Sequence, residues 1–117
     1  MSVRRRMQGE VTVLDLAGEF YGDKPTDDLE RALNHEVELG TRRLVINLYE
    51  CSMMNSLTLG VMIAAKHKLD AIGSEVRLCG LGNRMRSLLV MSRLVDYFNV
   101  HESEREAIVS LRNAAVA

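Results

Sequence analysis

A chain of 117 residues is the size of one domain, and such a domain buries roughly two-thirds of the surface its unfolded form exposes, enough for one core without staples. Hydrophobic residues make up 47% and charged residues 26%, but Trp is absent and aromatics are only 4%, so Leu, Val, Ile, Met and Ala must fill the core. A net charge of −1 argues against a phosphate-tracking nucleic-acid binder, which would carry a basic stripe.

The one basic cluster, Arg4-Arg5-Arg6, reads as a solvated chain end. Cys51 and Cys79 have no CxxC spacing and no ligand-rich neighbourhood, which argues against a disulfide framework or a zinc site and leaves two small buried thiols at strand ends. No apolar run approaches the length of a membrane span and no signal peptide opens the chain. The expectation is a cytoplasmic protein with no cofactor, no metal, and neither nucleic acid nor membrane as direct partner.

In chain order, Ser2 to Met7 reads as an edge strand, Gln8-Gly9-Glu10 as a turn, and Val11 to Ala17 as a second strand completing a hairpin. Val11, Val13 and Asp15 fall on one face of that strand, Leu14 and Leu16 on the other. Gly18 to Lys24 is expected as a loop. A helix over 26–39 follows, capped by Asp27 with Glu30 in capping-box position, striped by Leu29, Leu33 and Val37, and stopped at Gly40. Leu44 to Leu48 is nearly continuous apolar sequence, as in a strand buried on both faces.

A helix over 56–72 is expected next, with Leu57, Val61, Ala64, Ala65, Leu69 and Ile72 inward, Lys66, Lys68 and Asp70 elsewhere, and Gly73 at its end. Glu75 to Cys79 is the next strand, parallel to the previous one in a βαβ unit. Asn83 is expected to cap a third helix carrying Met85, Leu88, Leu89 and Leu94. Tyr97 to Val100 reads as a last short strand. Ser103-Glu104-Arg105-Glu106 is a capping box for a terminal helix with Ala107, Ile108 and Leu111, and Ala114 to Ala117 is expected to fray. The fold class is α/β, a single domain over 1–117 with a mixed four- to five-stranded sheet and about four helices.

Sites in open α/β sheets collect at the carboxyl ends of parallel strands. That selects Gly18 to Lys24, Tyr49 to Asn55, and Gly80 to Asn83. The middle stretch is richest, because it ends at a helix N-terminus that favours negative charge. Catalysis finds little support. Gly80-Leu81-Gly82 is half of a dinucleotide fingerprint, with Met85 where the third glycine belongs, and reads as a tight turn. His35, His67 and His101 lie on different elements, and no Ser-His-Asp grouping can be drawn. Ser56 is the residue in question: locally it reads as a helix cap or as a first-turn residue behind an Asn55 cap.

The ordered set of segments resembles a STAS domain of the bacterial anti-sigma factor antagonist type, from about Val11 to Leu111. Leu16-Ala17-Gly18-Glu19-Phe20 is similar to the family's strand-ending stretch, Leu44 to Leu48 to its central strand, and Cys51 to Gly60 lies where the family carries its switch motif. Val76 to Cys79 and the helix with Arg84 to Ser92 follow in family order. Relative to the motif, Asn55 replaces an aspartate, Leu57 a second hydroxyl residue, and Thr58 a glycine.

The resemblance implies a non-enzymatic binding protein. Its partner would be an anti-sigma factor with serine kinase activity, which phosphorylates Ser56 and thereby breaks the complex. A PP2C-type phosphatase would reset it. Thr58 is a second candidate acceptor. The partner surface implied is Tyr21, Gly22 and Asp23 with Asn55, Ser56, Leu57, Thr58 and Leu59, joined by Gly82 to Met85 and flanked by Met53 and Met54. An exposed first strand leaves a homodimer open. The alternative is a STAS scaffold subunit, never phosphorylated, in a signalling or lipid-transport complex. A hydrolase or transferase using Ser56 lacks an identifiable base or oxyanion group.

Overall fold

Alternation in the second strand sets the architecture. In the computed structural model, which describes residues 2–116, Leu14 and Leu16 enter one buried cluster and Val11 and Val13 another, on opposite faces of one sheet. The elements in chain order are β1 (Val3–Gln8), β2 (Val11–Phe20), α1 (Lys24–Leu39), β3 (Arg43–Met54), α2 (Ser56–Ala71), β4 (Glu75–Cys79), α3 (Asn83–Met91), α4 (Val95–Phe98), β5 (Val100–His101) and α5 (Glu104–Val116). The sheet runs β1-β2-β3-β4-β5, with β1 antiparallel to β2 and the remaining neighbours parallel. This is the mixed sheet and βαβ unit expected. The fifth helix is the single turn α4.

The larger cluster joins Leu14, Leu16, Leu44, Ile46 and Leu48 of the sheet to Leu29 and Leu33 of α1, Met62, Ala65 and Leu69 of α2, and Met85 and Leu89 of α3. The smaller one joins Val11, Val13, Val45 and Cys79 to Ala107, Ile108 and Leu111 of α5. The Ser103 hydroxyl accepts from the Glu106 N–H at 3.1 Å, so the Ser side of the last capping box forms.

Several boundaries move. α1 starts at Lys24, behind an Asp23 N-cap and with Pro25 in its first turn, so Asp27 is a first-turn acid rather than the cap. Gly82, not Asn83, is the N-cap of α3. The expected strand over Tyr97 to Val100 is instead the α4 turn followed by Val100–His101. The backbone of α5 is helical through Val116, against the fraying expected from Ala114, and Ala117 lies outside the described residues.

The inward stripe of α2 is Thr58, Leu59, Met62, Ala65, Lys66 and Leu69, whereas Leu57, Ala64 and Ile72 face solvent. Lys66 was expected outside. It is buried because its ammonium reaches the Asp70 carboxylate at 2.8 Å and sits 4.6 Å from the centre of the Tyr97 ring. Glu36, invisible to the apolar pattern, is also fully buried. It accepts from Arg5 Nε at 2.7 Å and from the Thr41 hydroxyl at 2.5 Å, tying α1 to β1.

α5 covers only part of its face of the sheet. Beside it Asp15 accepts from Arg6 Nε at 2.6 Å and Nη2 at 3.0 Å, from Asn47 Nδ2 at 2.9 Å and from Arg4 at 3.3 Å, while Arg6 also pairs with Glu104. The Arg6 bonds, seconded by Asn47 and Arg4, hold the Asp15 carboxyl below its ordinary 3.8 against the opposing effect of burial. A depressed folded value stabilises above the unfolded pKa and is lost as pH falls through the folded one. Asp15→Asn is therefore expected to cost roughly 1–3 kcal/mol near neutral pH. In denaturant titrations the gap from wild type should shrink as pH falls through the ordinary carboxylate range toward the lowered folded value.

Candidate functional site

The expected loop over Tyr49 to Asn55 is strand. β3 continues to Met54, and β2 continues beside it to Phe20, through the start of the expected Gly18 to Lys24 loop. The Asn55 N–H then donates to the Phe20 carbonyl at 3.0 Å. Two chains thus leave the sheet side by side and each turns at once into a helix, so Tyr21-Gly22-Asp23 and Asn55-Ser56-Leu57 lie at the starts of α1 and α2.

Asn55 is the N-cap of α2: its Oδ1 accepts from the Thr58 N–H at 3.1 Å. Ser56 is the first helical residue. It is exposed, and its hydroxyl takes no hydrogen-bond partner among the described residues. The local question posed by the sequence is thereby answered: the cap is Asn55.

Thr58 and Leu59 lie below the surface. Leu59 belongs to the core, and Thr58 is fully buried. The Thr58 hydroxyl lies 3.0 Å from the Phe20 carbonyl and 2.7 Å from the Thr26 hydroxyl, which accepts from the Gly22 N–H at 2.9 Å. The Phe20 carbonyl and the Asn55 Oδ1, at 3.2 Å, can only accept and share the one Thr58 proton, so Thr26 donates to Thr58. The Thr58 side chain therefore fastens the two helix starts together. Thr26 was missed in the sequence. Its place two residues beyond the Asp23-Lys24 helix start was the available signal.

Gly22 fits closely over α2. Its φ is +90°, and a Cβ there would lie 2.8 Å from Leu57 Cδ1. Leu57 is 66% exposed, and Tyr21 beside it is exposed with its phenol donating to the Glu19 carboxylate, which raises the phenol pKa. Asp23 is exposed as the N-cap of α1 and makes no side-chain cap bond. The structure thus brings Tyr21, Gly22, Asp23, Ser56 and Leu57 to one rim, with Asn55 half-buried. Of the flanking residues, Met54 and Met85 are core, Met53 is half-buried, and Asn83 and Arg84 are exposed.

α2 carries no acidic residue in its own first turn, so its free N–H groups keep their partial positive charge, while exposed Asp23 on the same rim and Glu19, bound to Tyr21, supply negative charge nearby. Burial pushes the Cys51 thiol up to about 11 and Cys79 to about 12, which disfavours their thiolates, and both are free. Among the described residues no group of three or more His, Cys, Asp or Glu is placed to hold a metal ion, and no helix is long and apolar enough to cross a membrane.

The STAS domain profile matches residues 2–107 of the chain. A Bordetella bronchiseptica protein named as an anti-sigma factor antagonist, BtrV, is 27% identical over 88 residues, covering 75% of this chain and 76% of the relative. Among solved structures, a Thermotoga maritima protein described as an anti-sigma factor antagonist superposes with a TM-score of 0.86 at 15% identity, covering 94% of each chain. The Bacillus cell fate determinant SpoIIAA in its phosphorylated form superposes with a TM-score of 0.73 at 21% identity, covering 93% of this chain and 98% of that one.

Proposed function

This chain belongs to the STAS domain family, and on that footing we propose that it is a cytoplasmic anti-sigma factor antagonist that works by partner switching. It binds an anti-sigma factor that is also a serine kinase of the ATPase fold. The kinase phosphorylates Ser56, the complex parts, and a PP2C-type phosphatase removes the phosphate. The chain is the substrate in this cycle and supplies no catalytic residue.

The observation that carries this reading is the division of labour at the start of α2. Asn55 makes the cap, and Ser56 stands exposed with its hydroxyl uncommitted. A phosphate placed there meets free N–H groups and the positive end of the helix, so the domain tolerates it without unfolding. It adds about −2 charge and bulk to the surface the partner must touch. The contact surface in this reading is Tyr21, Gly22, Asp23, Ser56 and Leu57, shaped from beneath by Asn55, Thr58 and Leu59. Buried Thr58 is beyond the reach of a kinase, which leaves Ser56 as the acceptor on this rim. The antagonist names of similar proteins and the phosphorylated form of SpoIIAA support the same assignment.

Incubating the chain with its captured kinase and magnesium-ATP, followed by peptide mapping, tests the acceptor. One phosphate on the Ser56 peptide, missing from Ser56→Ala, is expected. A phosphate on any other residue would overturn the assignment.

A further inference from the structure

β1 is the outermost strand, and among the described residues no strand pairs with its far side. An open edge of this kind presents N–H and C=O groups as a template for another strand. Beside it, between β1 and α1, lies a groove of about 710 Å³ whose apolar lining comes from Val3, Leu14, Pro25 and Ala32. A sheet edge next to a helix groove is how an extended peptide docks by strand addition: the edge supplies main-chain hydrogen bonds, and the groove takes alternate side chains.

Charge selects the occupant. The side chains of Arg4, Lys24 and Arg31 are between 72% and 81% exposed, whereas those of Asp15, Asp28 and Glu36 are between 1% and 28% exposed. The cations stand in solvent with their carboxylates beneath them. An arriving chain therefore meets the cations of these pairs before it meets their carboxylates, although the net charge of the protein is −1. The same residues oppose a second copy at this edge. In an antiparallel pairing about a twofold axis at the strand centre, Arg5 faces itself and Arg4 faces Arg6, and like charges directly opposite destabilise. Nucleic acid would use the cations and leave the strand edge and apolar groove idle.

We propose that β1 and its groove take an extended acidic segment of a partner protein, added to the sheet as an outer strand. Val3 and Arg5 face the α1 side, and Arg4 and Arg6 face the other, where they approach Asp15. The matching segment alternates: apolar residues enter the groove, and a carboxylate on its other face meets exposed Arg4. This interaction needs neither Ser56 nor a phosphate, so it stands apart from the switch reading.

The probe is a short fluorescein-labelled peptide of alternating valine and glutamate, titrated with the full chain and followed by anisotropy. Saturable binding is expected, weakened at least about tenfold when lysine replaces glutamate or when proline replaces the central valine and removes a donor. Amide exchange on the wild-type complex should slow within β1 and leave Ser56 to Leu59 unchanged. The doubly substituted variant Arg4→Glu, Arg31→Glu should lose at least about tenfold in affinity. Equal binding of the proline peptide, an equal grip on a polyuridine oligomer, or protection confined to other elements would overturn the proposal.

Discussion

Ser56→Asp is expected to weaken binding to the kinase-type anti-sigma factor by more than about a hundredfold, equivalent to roughly 3 kcal/mol, while Ser56→Ala binds like wild type. The asymmetry follows from where the residue sits. Ser56 is exposed at the first position of α2, and its hydroxyl holds nothing in the fold, so removing it disturbs neither cap nor core. A carboxylate at that position is welcome to the helix, because the first turn contains no other acid. In the proposed complex, whose interface closes over Leu57 and Tyr21, it is unwelcome, because a desolvated charge without a partner is costly there. Titration calorimetry of the three proteins reads the difference, and their thermal melts should agree within a few degrees, since a surface change at a helix start is worth about 1 kcal/mol or less.

Gly80→Ala is expected to give the largest loss of stability among single methyl additions. Gly80 has φ +77°, and a Cβ there would lie 2.9 Å from both the Tyr49 backbone nitrogen and Asn47 Oδ1. Neither neighbour can yield. Tyr49 N is main chain within β3, and Asn47 is held by its bonds to Asp15 and to the Tyr49 N–H. A left-handed residue other than glycine costs on the order of 1–3 kcal/mol, and overpacking adds a similar amount. A total of about 3 kcal/mol should lower the melting temperature of a domain this size by roughly 10 °C. Gly82→Ala is the control: its φ is −74° and no atom lies within 4 Å of the added methyl, so it should lose only the few degrees that alanine costs at an N-cap. The result would also explain Gly80-Leu81-Gly82 without a nucleotide, since the first glycine admits the β3 backbone and the second begins α3.

How far the sequence could be read depended on whether a pattern was continuous. β4 is legible to the residue, because Glu75 to Cys79 is short, alternates charged and apolar residues from Glu75 to Leu78, and is bounded by turn and cap residues. The apolar run that marks β3 ends at Leu48, and the exposed Tyr49 and Glu50 that follow hide the strand's continuation to Met54. Asp15 and Ala17 of β2 pair with Asn47 and Glu50, and Gly18 and Glu19 pair with Cys51 and Met53. Each step inserts an extra β3 residue, and such bulges erase the period of two by which a strand is recognised. α2 was placed correctly and rotated wrongly. Its apolar residues surround the helix, and its true inward row begins with a threonine. The Thr26 hydroxyl and the Phe20 carbonyl, 32 and 38 positions away in sequence, explain why Thr58 points in. The aromatic run before Val100 suggested a strand, but the Tyr97 ring instead lies over the Lys66 ammonium from a helical turn. The residues of the site were legible as a group, and their depth was not. Exposure of Ser56 and burial of Thr58 follow from which residue caps α2, and Asn55 and Ser56 are equally good caps on paper.

The most direct test of the switch is affinity capture from the source cells with wild-type, Ser56→Ala and Ser56→Asp baits side by side, with bound proteins identified by mass spectrometry. An ATPase-fold serine kinase retained by wild type and Ser56→Ala and absent from Ser56→Asp is the predicted result. Three baits that capture the same proteins would contradict it and leave a STAS scaffold that is not switched at Ser56.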